Sequence, residues 1–313
     1  MLRMLWLEIT GRCQLECVHC YADSGPHGGH GTMTLPAWER VIDEATDLGV
    51  DMVQFIGGEP TLHPGLPGLI DRALGRGLDV EVFTNLVHIA PALWETFTRP
   101  GLRLATSWYS DDPSEHAAIT RRRTHARTRA NIAEAVRRSI PLRVGIIGMS
   151  DVQRTAQAER MLTEIGVTEI GVDRLRQVGR GIRDRQASTA ELCGNCGDGV
   201  AAVGPDGSVW PCVFSRWLSC GNVLNTPLID IMNSSAFLAA LDELHATMPQ
   251  LPCTPNMCNP QCGPTCGPAC NPKGDCRPKG NCAPSYSCGP CHPKDRTCGP
   301  ERSCGPNKCR PTK

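Results

Sequence analysis

Short apolar runs alternate with amphipathic stretches along the first 175 or so residues. Runs at Leu5–Ile9, Met52–Ile56, Val80–Thr84, Leu102–Ser107, Val144–Met149 and Glu169–Val172 have strand length and are rich in apolar and β-branched residues. Between them, Leu35–Leu48, Gly65–Gly75, Ala90–Phe97, Thr128–Ser139 and Val152–Ile165 read as helices. Thr34 is placed to cap the first, with Pro36 just inside it. Gly49 and Gly166 close the first and last, because glycine tolerates the left-handed conformation in which helices end. Such regular alternation predicts an α/β fold, a parallel sheet covered by helices. The period alone leaves an open sheet and an incomplete barrel both possible. In either, chemistry belongs at the carboxyl ends of the strands.

Composition adds a boundary. The chain has 313 residues, with 32 basic and 32 acidic side chains. That balance argues against a general nucleic-acid binder, whose footprint is basic. No apolar run approaches the roughly 18 residues needed to cross a bilayer. The N-terminus lacks the apolar stretch of a secretory signal, so a cytoplasmic, reducing location is expected. The balance hides two unlike parts. Residues 1–252 carry 23 arginines, no lysine and 29 acidic residues, a net of six negative charges. Residues 253–313 carry 9 basic and 3 acidic residues, a net of six positive charges, and hold 12 of the 19 cysteines. Dense cysteine in a reducing compartment points to metal before disulfides.

The first strand runs into Cys13-Gln-Leu-Glu-Cys17-Val-His-Cys20-Tyr-Ala. Three thiolates can hold a cubane iron–sulfur cluster and leave one iron without a protein ligand. A vacant metal position is what a substrate or cofactor needs in order to bind. Zinc with His19 as fourth ligand is the rival reading, and three buried core cysteines the bland one. Gly57-Gly58-Glu59-Pro60 follows directly on the second apolar run, where glycine lets backbone approach a ligand closely.

The three-cysteine loop resembles the cluster loop of the radical S-adenosylmethionine (SAM) superfamily, and Gly57-Gly58-Glu59-Pro60 resembles that superfamily's second motif. The resemblance implies a partial (β/α)6 TIM-type barrel with a [4Fe-4S] cluster on Cys13, Cys17 and Cys20. It implies that the open iron chelates the amine and carboxylate of SAM, and that one electron then yields a 5′-deoxyadenosyl radical that removes hydrogen from an unactivated C–H bond. Gly57, Gly58, Glu59 and Pro60, with Asn85, Ser107 and Arg176 at the ends of later strands, are the cofactor contacts it implies. Arg176 lies in Arg176-Gln-Val-Gly-Arg-Gly181, similar to a segment of related maturases. Arg121, Arg122, Arg123, His125, Arg127 and Arg129 form a basic stretch. It suits a carboxylate, phosphate or acidic peptide, or a solvated helix start paired with Asp111, Asp112 and Glu115.

Cys193 and Cys196 precede Pro205-Asp206-Gly207, a tight turn that predicts a hairpin ending near Cys212, with Cys220 beyond it and an amphipathic stretch over Leu228–Leu244. This resembles the SPASM or shorter twitch extension of radical SAM enzymes, in which Cys193, Cys196, Cys212 and Cys220 would hold an auxiliary [4Fe-4S] cluster. A zinc ribbon uses the same four, and Cys253 or Cys258 could replace Cys220. The division expected is a core over 1–185, an auxiliary domain over 186–252 and an irregular Cys/Pro-rich tail over 253–313. The tail's twelve cysteines, Cys253 to Cys309, sit among Gly-Pro and Asn-Pro pairs with almost nothing apolar to bury. Four readings remain for it: a second auxiliary cluster within Cys253–Cys270, a metallothionein-like reservoir, a fused substrate-like peptide, or a disordered segment.

The resemblance implies an oxidoreductase that modifies a ribosomally synthesised peptide. It also implies a reductant such as ferredoxin or flavodoxin; since the barrel starts within ten residues of Met1, peptide recognition is expected from a separate precursor-peptide-recognition protein or from the tail. A small-molecule substrate such as a sugar is the alternative, and a non-enzymatic cluster carrier the second alternative. Neither nucleic acid nor membrane is an expected partner.

Overall fold

The computed structural model describes residues 2–183, 186, 188–194 and 196–247. Six parallel strands alternate with helices: β1 (Met4–Thr10), α1 (Leu35–Asp47), β2 (Met52–Gly57), α2 (Leu66–Gly75), β3 (Asp79–Phe83), α3 (Pro91–Phe97), β4 (Leu102–Trp108), α4 (Pro113–Thr120), α5 (His125–Arg137), β5 (Leu142–Gly148), α6 (Thr155–Ile165) and β6 (Glu169–Arg174). Then come β7 (Val200–Val203), β8 (Ser208–Trp210), β9 (Gly221–Asn222), α7 (Leu228–Met232) and α8 (Ser235–Thr247). Residues in a strand alternate between faces, and here the two faces differ in chemistry. Leu5, Leu7 and Ile9 of β1 join Val53, Phe55, Val80 and Val82 in one apolar cluster with Trp38, Val41 and Ile42 of α1 and Leu69 and Ile70 of α2. Thr34 caps α1 by accepting the Ala37 N–H at 3.3 Å. Gly166 closes α6 at φ +99.

The opposite face is largely polar. Glu81 of β3 is fully buried and accepts from Arg143 Nε and Nη2, each at 2.7 Å, and from Arg103 Nε at 2.6 Å, with Gln54 donating as well. Burial alone would push the Glu81 carboxyl up. The charge and hydrogen bonds of Arg143, then those of Arg103 and Gln54, outweigh it and leave the group below its ordinary value.

The sheet does not stop at six strands. Its order is β6-β5-β4-β3-β2-β1-β7-β8-β9, with β7 parallel to β1 and β8 antiparallel to β7. The predicted hairpin is present, turning at Gly207 with φ +84, but it extends the main sheet instead of standing on its own. The sequence reading also omitted α4, whose N-cap Asp112 accepts the Ser114 and Glu115 N–H groups at 2.9 and 2.8 Å. With α4 in place, the next helix begins at His125, three residues before the expected start. No helix among the described residues is long and apolar enough to cross a membrane. The tail readings, on Cys253 to Cys309, lie outside the described residues.

Removing one member of the buried ion network should be costly, since it strands a charge. Arg143→Met is expected to lower the unfolding free energy by about 3–5 kcal/mol in urea titration; a loss under about 1 kcal/mol would refute the network's role. Because the folded Glu81 carboxyl titrates below its unfolded value, its contribution is present above the unfolded value. It should fade as pH falls through the folded one.

Candidate functional site

The segment after β1 is stitched to itself and to its neighbours. Gly11 and Cys13 donate N–H bonds to Gly29 and Gly25 carbonyls at 2.9 and 3.0 Å, and Cys20 N–H reaches the Cys17 carbonyl at 3.2 Å. Cys13, Cys17 and Cys20 all line one cavity of about 990 Å³, counting its open mouth, at the carboxyl ends of the strands. The sulfurs receive backbone hydrogens: Leu15 N–H to Cys13 Sγ at 3.4 Å and Ser24 N–H to Cys20 Sγ at 3.3 Å. Asn85 Nδ2 adds a third, to Cys13 Sγ at 3.6 Å. Donors of this kind stabilise charge on a ligand sulfur.

Burial first, and then the Glu59 charge, pushes the Cys13 thiol up to about 12. Burial and the nearby Cys20 do the same for Cys17, also to about 12. Cys13 and Cys17 thus keep their protons until a cation compensates them. Among the described residues, no three His, Cys, Asp or Glu side chains converge as they would around a single ion. Cys13, Cys17 and Cys20 are spread around one cavity, which suits a cluster held by three thiolates. His19 packs edge-on against Tyr109 with ring centroids 5.0 Å apart. Burial lowers its imidazole to about 4.

Gly57, Gly58, Asn85, Ser107 and Arg176 share the lining with the cysteines. Gly58 is required by close approach, since a Cβ there would lie 2.3 Å from the Arg12 carbonyl oxygen. Glu59 and Pro60 work from behind. The buried Glu59 carboxylate accepts from Thr61 N and Thr61 Oγ1 at 3.1 and 2.7 Å, and from Thr84 Oγ1 and Asn85 N, both at 2.7 Å. It ties the end of β2 to the end of β3. Pro60 starts a single 3-10 turn. Arg176 is no solvated arginine: it pairs with Asp173 at 2.7 Å and donates to the Glu191 and Leu192 carbonyls at 3.1 and 3.2 Å.

Two features escaped the sequence reading. Arg180 grips the cysteine loop, donating to the Cys17 carbonyl at 3.0 Å and the Ser24 carbonyl at 2.5 Å, with Asp23 at 2.7 Å. Gly179 makes that approach possible, because a Cβ there would lie 2.3 Å from the Tyr21 carbonyl oxygen. The Gly-Arg-Gly sequence was the available signal. His116 of α4 also lines the cavity, 2 % exposed, with a buried and unpartnered Nδ1. Burial and the neighbouring His125 lower its imidazole to about 4. Nothing in the sequence marks it.

The second cysteine set is partly assembled. The Cys196 thiol is hydrogen-bonded with Cys193 and Cys212, which push it well above its ordinary value together with burial. Cys212 Sγ accepts the Phe214 N–H at 3.5 Å. Those three belong to an apolar cluster with Trp210, Phe214 and Leu244. Cys220 does not join them. It packs in the main core with Val223, Leu228 and Ile231, and its thiol donates to the Leu218 carbonyl at 3.4 Å. Tyr21 and Phe214, edge to face at 5.1 Å, stand between the two cysteine sets.

Comparison with known proteins agrees with this layout. Residues 7–157 match the radical SAM superfamily, and residues 193–266 match SPASM, an iron-sulfur cluster-binding domain. The PqqA peptide cyclase of Streptomyces rochei is 28 % identical over 184 residues, 58 % of this chain and 50 % of that protein. A probable GTP 3′,8-cyclase of Methanothermobacter thermautotrophicus is 31 % identical over 137 residues, 42 % of this chain and 43 % of that protein. The chain spans about half the length of the curated relatives it matches. The fold resembles Streptococcus suis SuiB bound to S-adenosylmethionine, with a TM-score of 0.64 at 15 % identity, covering 75 % of this chain and 66 % of that one. It also resembles anSMEcpe with bound AdoMet, with a TM-score of 0.58 at 13 % identity, covering 80 % and 83 %. With both matched segments in order, the chain carries a radical SAM domain match over residues 7–157 followed by a SPASM-type iron–sulfur domain match over residues 193–266.

Proposed function

We propose that this protein is a radical SAM oxidoreductase that modifies a ribosomally synthesised peptide. The observation that carries the proposal is the convergence of the three-cysteine loop, the Gly57–Gly58 turn and the strand-end polar groups on one cavity. Cys13, Cys17 and Cys20 would hold the [4Fe-4S] cluster. Gly57, Gly58, Asn85 and Ser107 would cradle SAM, with Glu59 and Pro60 fixing the turn and Arg176 bracing the sixth strand. Bound there, the pair supplies hydrogen-atom abstraction from an unactivated carbon.

The chain's own residues supply position and dryness. Ile56, Phe83, Ile147 and Phe214 give the cavity apolar walls that shed water. Tyr109 holds its proton, because burial and then the nearby Cys17 and Cys20 raise its hydroxyl well above the ordinary value. His116 presents an uncharged imidazole to whatever occupies the cavity.

Cys193, Cys196 and Cys212 would hold an auxiliary cluster, with its fourth ligand from outside the described residues in preference to Cys220. Core, auxiliary and tail divisions at 1–185, 186–252 and 253–313 accord with the two cysteine sets, although one sheet runs through the first two. The peptide assignment draws on relatives named for peptide substrates: the PqqA peptide cyclases, and SuiB, which has been solved with its precursor peptide SuiA. A one-electron donor such as ferredoxin or flavodoxin and a cytoplasmic setting complete the proposal.

Anaerobic reconstitution followed by SAM and dithionite should release 5′-deoxyadenosine from the wild-type chain, and Cys17→Ala should abolish it. Absence of cleavage by the reconstituted wild type would leave only a cluster carrier. Iron and sulfide counts test the second site: Cys196→Ser should lose the iron of one cluster, while Cys220→Ser should keep it. Loss of that iron in Cys220→Ser would return Cys220 to the ligand set.

A further inference from the structure

The basic stretch after β4 is interleaved with the cavity-lining Thr120 and Thr128, and most of it has no counter-charge. Arg121, Arg123, Arg127 and Arg129 are exposed and make no ion pair among the described residues. The acids that sequence proximity would pair with them are occupied elsewhere. Arg154 binds both Asp111 oxygens, at 2.8 and 2.6 Å. Asp112 caps α4, and Glu115 accepts the Arg154 N–H at 3.3 Å. Arg122 alone pairs, with Glu16 of the cysteine loop at 2.5 Å. His125 is buried beneath, its imidazole lowered chiefly by that burial, and adds no charge to the surface.

The stretch is anchored to the cysteine loop at its start. Val18 N–H bonds the Ile119 carbonyl at 3.0 Å, and Glu16 N–H the Thr120 carbonyl at 3.3 Å. Thr120 and Thr128 line the cavity. Arg121 directly follows the first, and Arg127 and Arg129 flank the second. Four unpaired arginines fall within nine residues of chain, on a body that is acidic over residues 1–252. A guanidinium is shaped to hold carboxylates in pairs. The chain's own basic tail would be repelled.

We propose that this arginine stretch docks an acidic segment of the peptide substrate, so that the residues next to that segment enter the cavity. This rests on the peptide reading above. Nucleic acid is the less suited partner, because no aromatic side chain is exposed among residues 119–130 to stack a base.

Fluorescence anisotropy with labelled hexaglutamate, on the full chain reconstituted anaerobically, tests it. Hexaglutamate should bind, more weakly as salt is raised. Combined Arg121→Glu, Arg123→Glu, Arg127→Glu and Arg129→Glu should weaken binding at least about tenfold. Arg123→Glu and Arg129→Glu alone should each give a smaller loss, and Arg137→Glu, whose arginine already pairs with Glu134, none. Unchanged binding in the combined variant overturns the proposal, as does equal binding of hexalysine. Tighter binding of a short oligothymidylate would assign the stretch to nucleic acid and overturn it too. Cys17→Ala should keep hexaglutamate while losing SAM cleavage, so a failure of the enzymatic reading and a failure of the arginine stretch are separately visible.

Discussion

The cysteine loop is long, polar and rich in glycine, and little in its own sequence would hold it to one shape. Its geometry comes from contacts made by segments distant in the chain. Arg180 ties the Cys17 and Ser24 carbonyls together from beyond β6, 163 and 156 residues away. The C-terminal end of α4 bonds the loop's other flank through Ile119 and Thr120. These ties hold the backbone that carries the three sulfurs around one cavity. Gly179 is the steric condition for one of those ties, since a side chain there would collide with the loop's carbonyls.

A second tier of contacts arranges the strand ends. Glu59 spends its carboxylate on Thr61, Thr84 and Asn85. It thereby orients Asn85 toward Cys13 instead of facing the cavity itself. Asp173 and Arg176 join the end of β6 to the segment leading into Cys193. Below them the Glu81–Arg143 network fills the inner face with paired charge where an apolar core would be expected. Buried ion pairs add little net stability but are costly to break, so this network fixes the arrangement of the strands beneath the cavity.

The auxiliary region is an extension of the barrel's sheet as well as a cysteine site. Because β7 pairs in parallel with β1, Cys196 and Cys212 flank a hairpin built directly on the strand that leads to the first cysteine loop. The Tyr21–Phe214 contact spans the space between the two sets. Placement on a shared sheet fixes their separation more firmly than a hinged domain could.

Much of this was legible in the chain alone. The six strands and most helices follow from short-range apolar periodicity, a local property. The cysteine loop and the Gly-Gly-Glu-Pro turn are contiguous motifs, and both lie at the strand ends their positions implied. Long-range pairing escaped. Cys220 reads as a fourth partner by spacing, yet it belongs to the main core cluster that also holds Val223, Leu228 and Ile231. Helix α4 has no apolar periodicity, so both it and His116 were invisible. For the arginines near Asp111 the sequence left pairing and ligand binding both open, and Arg154, from another connection, takes that acid. Sequence by itself determined which local elements form and which chemical groups the loops carry. Only the tertiary structure decided which groups meet, because hydrogen bonds and ion pairs between segments up to 208 residues apart depend on packing that no local pattern encodes.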